Sequence, residues 1–404
     1  MIIGFDAKRI VRNATGLGSY SRTLINSLTA ADADTRFILY APDEGRDDLR
    51  QQIAERQNVR YSFFRSQKSE TKSQKSFLFS LSSLLSPLNI PLLGGMRGAL
   101  WRSSGIVNDL KRDGVQLFHG LSGELPRGLQ RAGIPGLVTI HDLIFLRHPE
   151  YYNPLDVFLY RRKFRSTLRE AQRIVAISEC TKRDILAFSD FPEDHIDVIY
   201  QSCGTRFRQT ATDDERAEVR QRYQLPERFI LSVGTIEPRK NALLAVKALL
   251  NPALSDIHLV LVGRQTNYVS SILQPFIHKN QLSNRVHLLS GVPNRDLPAI
   301  YQQALCFVYP SRYEGFGIPI IEAIQSRLPV VAATGSCLEE AGGPDNLYVN
   351  PDDADALAHA VSRSLPGADG REERIERSLQ YIQRFENNDI AQQMLSLYQR
   401  CMKP

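Results

Sequence analysis

Two glutamates eight residues apart enclose a glycine-containing segment in the second half of the chain. Residues 314–322 read Glu-Gly-Phe-Gly-Ile-Pro-Ile-Ile-Glu and follow the apolar run 305–309. The order strand, loop and helix is therefore predicted, with Glu314 in the loop and Glu322 on the helix. Such an order builds a ligand site at the carboxyl edge of a parallel sheet. Glycines in the loop leave backbone N–H groups uncovered, so a polar ligand can approach closely.

The two carboxylates are expected to have separate tasks. If the whole interval were helical, they would lie roughly 12 Å apart along the helix axis. The two carboxylates of a retaining glycosidase need to be only about 5 Å apart. We therefore expect Glu314 and Glu322 to contact different parts of one extended ligand.

A pair of cations follows another apolar run. Residues 229–233 are predicted to form a buried strand that ends at Gly234, and Arg239 and Lys240 stand at the start of a helix that begins near Asn241. Two fixed cations beside helix N–H groups match a diphosphate. A solvated pair on a turn is the alternative. The glutamate segment in the same half of the chain favours phosphate binding.

Gly16 and Gly18 open a predicted helix after the first strand. Bare glycine amides at a helix N-terminus accept anions, although a tight turn alone also explains the pair. The third glycine of a dinucleotide fingerprint is missing, and the next strand does not end on an acidic residue. NAD binding is therefore not expected.

Two histidines follow predicted strands of the first half. His141 comes directly after the run 136–140, and His119 comes after the run 116–118. Residues at the carboxyl ends of parallel strands point into the ligand cleft. We interpret His141 as a residue of the site. His119, with Glu124 as a weaker companion, is predicted either to bind an acceptor or to be structural.

No metal is expected in the site. Asp32-Ala33-Asp34 matches an Asp-x-Asp motif, but it precedes a predicted strand and is predicted to be a solvated loop. No other cluster of carboxylates, histidines or cysteines has the spacing of metal ligands. We expect fixed cations to stabilise a departing diphosphate instead.

The chain has 404 residues, 42% of them hydrophobic and 23% charged, which indicates a globular protein of two domains. Apolar runs alternate with helical patterns in both halves, as in parallel α/β sheets. We place the domains at residues 1–205 and 206–386, with a further amphipathic helix in residues 387–404. The scattered cysteines and the absence of a secretory pattern predict a cytoplasmic protein with buried thiols.

The net charge of +6 is unevenly distributed, because basic residues outnumber acidic ones between residues 60 and 112. That region contains the apolar run 77–93, which is interrupted by prolines. Apolar surface flanked by cations favours reversible binding to an anionic membrane surface or an amphiphilic phosphorylated ligand. A helical hairpin packed on its own domain is the alternative. No nucleic-acid partner is expected.

The Glu-x7-Glu spacing with Gly-Phe-Gly-x-Pro inside it closely resembles the donor-site signature of retaining glycosyltransferases with the GT-B fold, the GT4 type or group 1 glycosyl transferases. Residues 234–241 resemble the family's Gly-x4-Arg-Lys-Asn element, and residues 141–150 resemble bacterial mannosyltransferases of O-antigen assembly. The resemblance implies an α/β chain of two Rossmann-like domains that face each other across a cleft. It also implies a last helix that crosses back to the first domain.

The resemblance also implies roles for single residues. Glu322 would bind the ribose hydroxyls and Glu314 the donor sugar, with His141 near that sugar. The amides of Gly315, Phe316 and Gly317 would help, and Arg239 and Lys240 would take the diphosphate. The loop of Gly16 and Gly18 would face the donor phosphates or the acceptor.

The implied activity is transfer of mannose, or a related sugar, from a GDP-sugar or other nucleotide-diphospho-sugar without a cofactor. The acceptor would be a glycan or a polyprenyl-diphosphate-linked chain in bacterial O-antigen or capsule synthesis, at the inner face of the membrane. A nucleotide-sugar epimerase of the same fold is one alternative, and a non-catalytic sugar-binding or scaffold protein is another. Arg239 and Lys240 favour the enzyme over the scaffold.

Overall fold

A computed structural model of the chain describes residues 1–64, 97–201, 203–385 and 387–402. The apolar run 77–93, on which membrane binding was predicted, lies outside the described residues. Among those described, no helix is both long and apolar enough to cross a bilayer.

The first half of the chain forms a seven-stranded sheet whose order is β3-β2-β1-β4-β5-β6-β7. Its central pairs are parallel, with Ile3 opposite both Phe37 of β2 and Leu117 of β4. Apolar side chains cover both faces, as expected for a parallel sheet between layers of helices. The strands are β1 Ile2–Asp6, β2 Arg36–Ala41, β3 Val59–Phe63, β4 Leu117–Gly120, β5 Gly136–Ile140, β6 Arg173–Ala176 and β7 Ile196–Val198.

A second sheet has six strands in the order β10-β9-β8-β11-β12-β13. The order reverses between β8 and β11, which places two strand ends side by side at the position where doubly wound sheets bind ligands. The strands are β8 Phe229–Val233, β9 His258–Val262, β10 Val286–Leu289, β11 Cys306–Tyr309, β12 Val330–Ala333 and β13 Leu347–Val349. The two parallel α/β sheets that the sequence predicts are thus confirmed.

Helices connect the strands, and those predicted to begin near Gly16 and Asn241 begin at Gly16 and Ala242. Thr212 and Glu215 form a reciprocal capping box, which stabilises the start of one helix by pairing two otherwise unbonded donors. The α-helices are Lys8–Arg12, Gly16–Ala31, Asp47–Arg50, Ile106–Arg112, Leu129–Ala132, Ile144–Arg147, Pro154–Glu170, Glu179–Phe188, Asp213–Tyr223, Ala242–Ala248, Gln274–Lys279, Leu297–Tyr301, Ile318–Gln325, Leu338–Gly342, Ala354–Ser362, Arg371–Tyr381 and Asn387–Met402.

The chain divides into two compact units that interleave along the sequence. The first unit contains Met1–Ile140, Arg161–Val175 and Ala391–Pro404, and the second contains His141–Tyr160 and Ala176–Ile390. Residues 391–404 therefore group with the first half of the chain. The predicted boundary near residue 206 stays a prediction, because a single cut does not describe interleaved units.

His119 is fully buried in the first unit. Its Nδ1 lies 2.8 Å from the hydroxyl of Tyr398 on the last helix, and its Nε2 lies 2.8 Å from Oγ1 of Thr139. The ring of Phe5 packs against both aromatic rings. Burial and these two contacts favour the structural alternative for His119 over acceptor binding.

We predict that Tyr398→Phe destabilises the first unit. The substitution removes the hydroxyl beside a buried imidazole, and an unsatisfied buried polar group costs about 1–3 kcal/mol. Urea denaturation would measure the loss. Tyr160→Phe is the matched control, because that ring is 41% exposed. Equal unfolding free energies for the two variants would contradict the structural role of the His119–Tyr398 contact.

Candidate active site

The predicted loop between β11 and helix Ile318–Gln325 is present, and Glu314 lies in it. A Cβ atom on Gly315 would lie only 2.0 Å from the carbonyl oxygen of His141, and one on Gly317 would lie 2.8 Å from Cβ of Ala341. Both glycines are therefore required for packing. Ligand access, the reason inferred from the sequence, is not the only constraint at these positions.

The backbone of the same loop presents N–H groups without partners. Among the described residues, no acceptor is found for the amides of Gly315, Phe316 and Gly317, although all three residues are buried. Buried backbone donors are nearly always paired, so unpaired ones in a row indicate a ligand-binding surface. Because they stand at the start of helix Ile318–Gln325, the helix dipole also favours negatively charged atoms here.

Carbonyl oxygens of the loop are held from the opposite side. Oγ of Ser178 donates to the Gly315 carbonyl at 2.7 Å, and Oγ1 of Thr181 donates to the carbonyls of Gly315 and His141 at 3.3 and 3.2 Å. Ser178 also caps helix Glu179–Phe188 by accepting from the Thr181 amide. These contacts fix the loop while its amides stay open.

Glu314 is the centre of the charged cluster. Its Oε1 lies 2.5 Å from Nζ of Lys240, and its Oε2 lies 2.8 Å from Nη1 of Arg239. Burial alone would raise the pKa of Glu314, but the two adjacent cations outweigh burial and lower it to about 2. The same contacts raise the pKa of Lys240 even though burial opposes its charge. Glu314 is consequently an ionised carboxylate at any working pH.

The cation pair is fixed by the turn that carries it. Arg239 and Lys240 lie in the 3₁₀ turn Pro238–Lys240, and the following helix begins at Ala242, one residue after the predicted start. Asn241 adopts a left-handed conformation with φ of 55° and donates from Nδ2 to the carbonyls of Pro310 and Pro351. This side chain thus ties the turn after β8 to the loops after β11 and β13.

Each cation keeps some donor capacity. Nζ of Lys240 also donates to the Tyr309 hydroxyl at 2.7 Å, while Arg239 donates to the Tyr313 carbonyl and to Glu237 at 2.7 and 2.8 Å. An ammonium has three N–H groups and a guanidinium five, so both can still reach a ligand. A small recess beside Lys240 is lined by the loop of Gly234 and by Tyr309.

Glu322 lies on the helix, as predicted, and has partners of its own. Oε2 accepts from the Tyr301 hydroxyl at 3.1 Å, and Oε1 lies 3.9 Å from Nη2 of Arg206. Burial raises the pKa of Glu322 to about 7, against the opposing effects of Arg206 and Tyr301. Glu322 is therefore poised to gain charge when a ligand donates hydrogen bonds to it, whereas Glu314 is already fully charged.

His141 is buried in the second unit beside this loop. Its backbone carbonyl is the group that approaches Gly315, and its Nδ1 lies 2.7 Å from Nε2 of Gln201, which orients the ring. The structure thus brings His141 to the Glu314 loop, although the two are far apart in sequence.

The remaining predicted residues lie in the first unit. A Cβ on Gly18 would lie 1.8 Å from the Asn13 carbonyl oxygen, so tight packing explains this glycine, whereas a Cβ on Gly16 would meet no atom. Glu124 pairs with Lys163 at 2.9 Å and with Arg102 at 3.1 Å. These observations assign no ligand to Gly16, Gly18 or Glu124.

Asp142 is a candidate that the sequence reasoning did not assign. Its described polar contact is with the backbone amide of Ile144 at 3.2 Å, and no salt bridge to it is found among the described residues. Burial raises the pKa of Asp142. A Cβ on Gly315 would lie 3.0 Å from Cβ of Asp142, so Asp142 packs against the loop that carries the open amides. The signal available in the sequence was its position next to His141 at the end of β5.

Arg206 was also missed, because it was treated only as a domain boundary, and nothing in the local sequence shows its approach to Glu322.

No group of three or more His, Cys, Asp or Glu side chains that could hold a metal ion occurs in the described part of the chain. Catalysis without a metal stays a prediction.

Comparisons with known proteins agree with this geometry. Residues 214–380 match the family described as glycosyl transferases group 1, and residues 14–203 match glycosyltransferase family 4. O-antigen chain mannosyltransferase B of Escherichia coli is 30% identical over 286 residues, which are 70% of this chain and 74% of the relative. O-antigen chain mannosyltransferase RfbU of Salmonella typhimurium is 28% identical over 258 residues, 63% of this chain and 67% of the relative.

A solved structure shows the same fold. The HepE protein of Anabaena, in complex with UDP-glucose, superposes with a TM-score of 0.71 at 17% identity and covers 99% of both chains. The α/β class of two Rossmann-like domains is thereby confirmed as GT-B. With the family matches over both halves and the E. coli relative, the chain belongs to the group 1 glycosyl transferases of glycosyltransferase family 4.

Proposed function

We propose that the protein is a retaining glycosyltransferase that moves mannose, or a related sugar, from a GDP-sugar to a glycan or polyprenyl-diphosphate-linked acceptor. The pathway would be bacterial O-antigen or capsule synthesis. One observation supports the proposal most strongly: buried Glu314 lies between Arg239 and Lys240, beside three open amides. The names of the two O-antigen mannosyltransferases support the sugar and the pathway.

Each group of the site has a role in this proposal. Arg239 and Lys240 donate to the diphosphate and stabilise its charge as it departs. Glu314 and the amides of its loop bind hydroxyls of the donor sugar, and His141 lies beside that sugar. On the neighbouring helix, Glu322 accepts the ribose hydroxyls.

The reaction breaks the bond between the anomeric carbon and the phosphate oxygen and forms a bond from that carbon to the acceptor oxygen. Glu314 is a poor general base for the acceptor proton, because its pKa of about 2 is far below neutral pH. We assign the proton of the acceptor hydroxyl to the departing diphosphate oxygen. Attack from the face on which the diphosphate leaves would retain the anomeric configuration.

We place the enzyme at the cytoplasmic face of the plasma membrane, bound peripherally. A nucleotide-diphospho-sugar is water-soluble, whereas a polyprenyl-linked acceptor is held in the bilayer. The two would meet at the membrane surface. The names of the relatives, which concern O-antigen chains, support a lipid-linked acceptor.

The proposal is tested with a panel of GDP-, UDP- and dTDP-sugars and a membrane extract containing polyprenyl-linked glycans. Transfer from GDP-mannose, with an α-linkage shown by NMR, is the expected result. Release of an epimerised sugar nucleotide would instead support an epimerase. Binding of a sugar nucleotide without transfer, release or epimerisation would support a non-catalytic protein.

Lys240→Ala should reduce turnover far more than stability. A charged contact that strengthens in the transition state is worth about 3 kcal/mol, or roughly a hundredfold in rate. Lys247→Ala, an exposed lysine on the helix that follows, is the matched control and should keep wild-type turnover. Wild-type turnover in Lys240→Ala would remove its role as a phosphate ligand.

Glu322→Gln should chiefly raise the donor KM, whereas Glu314→Gln should lower kcat, since sugar positioning matters most as the glycosidic bond opens.

The affinity for GDP should depend on pH through Glu322. With a pKa of about 7, the Glu322 carboxylate is mostly protonated at pH 6. Because donated hydrogen bonds favour its charged form, affinity for GDP should rise by up to about tenfold from pH 6 to pH 8.

Calorimetry measures this pH dependence, and Glu322→Gln controls for titration of GDP itself. If wild type and Glu322→Gln show the same affinities at both pH values, Glu322 is not the ribose ligand.

Activity should persist in excess EDTA, because Arg239 and Lys240 supply the positive charge that a divalent ion supplies in metal-dependent transferases. Turnover after dialysis against EDTA is the measurement. A complete loss that Mg²⁺ or Mn²⁺ restores would show that the cation pair does not suffice.

A further inference from the structure

Helix Pro154–Glu170 exposes an unusual amount of apolar surface. Leu155, Phe158 and Leu159 have exposed fractions of 65%, 60% and 43%, and Tyr160 follows at 41%. Among the described residues, eight large hydrophobic side chains are exposed, and four of them lie within residues 155–160. Scattered exposed hydrophobics are ordinary, but a contiguous group marks an interaction surface.

The helical repeat places Leu155, Phe158 and Leu159 on the outward face, whereas Tyr160, four residues before Phe164, lies towards the packed side. Phe164 and Thr167 are buried and define the face that packs on the protein. At about 100° per residue, positions three or four apart share a face. The face opposite Phe164 carries, along one uninterrupted helix, the exposed residues Leu155, Phe158, Leu159, Arg162, Arg165 and Arg169.

The second half of the helix is strongly basic. Arg161 and Lys163 flank the outward arginines, so five exposed cations follow the apolar turns within nine residues. The acidic residues of the helix are Asp156 and Glu170. Glu170 accepts from the backbone amides of Gly128 and Gln130 at 2.8 and 3.2 Å. Positive charge therefore dominates the outward face.

We propose that this outward face is a docking surface for an anionic lipid bilayer. Leu155 and Phe158 would enter the boundary between headgroups and acyl chains, and Arg162, Arg165 and Arg169 would contact lipid phosphates. A second copy of the chain is a poorer occupant, because self-association would bring two basic helices together.

This inference rests on the proposed location of the enzyme at the membrane surface. The outward face of helix Pro154–Glu170 would be the part of the protein that binds the bilayer there. The binding would be reversible, since a few inserted side chains and a few arginines do not anchor a protein permanently. It would also weaken with salt, because counterions screen exposed charges.

The test is sedimentation of the full-length protein with vesicles. Phosphatidylcholine vesicles with and without phosphatidylglycerol are compared at low and high salt. Two double variants probe the helix, Leu155→Ser with Phe158→Ser and Arg162→Glu with Arg165→Glu. Their matched controls are Leu250→Ser with Ile272→Ser, apolar residues 48% and 47% exposed, and Lys279→Glu with Arg295→Glu.

We expect wild type and both controls to bind the anionic vesicles at low salt, with each helix variant binding at least tenfold more weakly. Unchanged binding of the helix variants, or equal losses in the controls, would overturn the proposal. So would binding to neutral vesicles that is as strong as binding to anionic ones. Helix variants that reduce self-association in sedimentation velocity without changing vesicle binding would identify a second copy as the occupant.

GDP binding, measured by calorimetry on the same proteins, separates this proposal from the proposed function. The helix variants should bind GDP like wild type, because none of the substituted residues belongs to the Glu314 site. Vesicle binding by a wild-type protein that binds no nucleotide would leave the docking surface intact and contradict the transferase assignment.

Discussion

The buried ion pairs of Glu314 with Lys240 and Arg239 are the interaction on which the site depends. A carboxylate in this position would protonate if it were alone, and two isolated cations would be equally costly to bury. Together they stay charged, which fixes the loop after β11 to the turn after β8. Both elements arise where the strand order of the second sheet reverses. The fold thus creates the location, and the charges determine its exact geometry.

In the loop that carries Glu314, a backbone carbonyl is hydrogen-bonded within the protein, whereas the backbone amides are open. The hydroxyls of Ser178 and Thr181 donate hydrogen bonds to the carbonyl of Gly315, and the amides of the same loop remain open. The loop can therefore bind oxygen atoms of a sugar or phosphate without moving, which is the condition for electrostatic preorganisation. Glu322, one helical segment further on, has a different environment and a different protonation behaviour. In the proposed function, the two carboxylates of one motif would therefore serve separate parts of one ligand.

Sequence patterns predicted the strands well, because buried parallel strands are short apolar runs between helical segments. The predicted apolar runs 116–118, 136–140, 229–233 and 305–309 all fall on strands, namely β4, β5, β8 and β11. What the sequence did not reveal were partners distant in the chain: the approach of Arg206 to Glu322, the position of Asp142 beside Gly315, and the enclosure of His119 by Tyr398 and Thr139. Such contacts depend on tertiary packing, which no local pattern encodes.

The central claim, that Glu314 and Lys240 act as one unit, is tested most directly by a double-mutant cycle in kcat/KM. The two single variants and Glu314→Gln with Lys240→Ala are compared with wild type at one pH and one ionic strength. Groups in direct contact are not additive, so the double variant should lose little more activity than the worse single variant. Losses that multiply would show that the two residues act independently and would contradict the account.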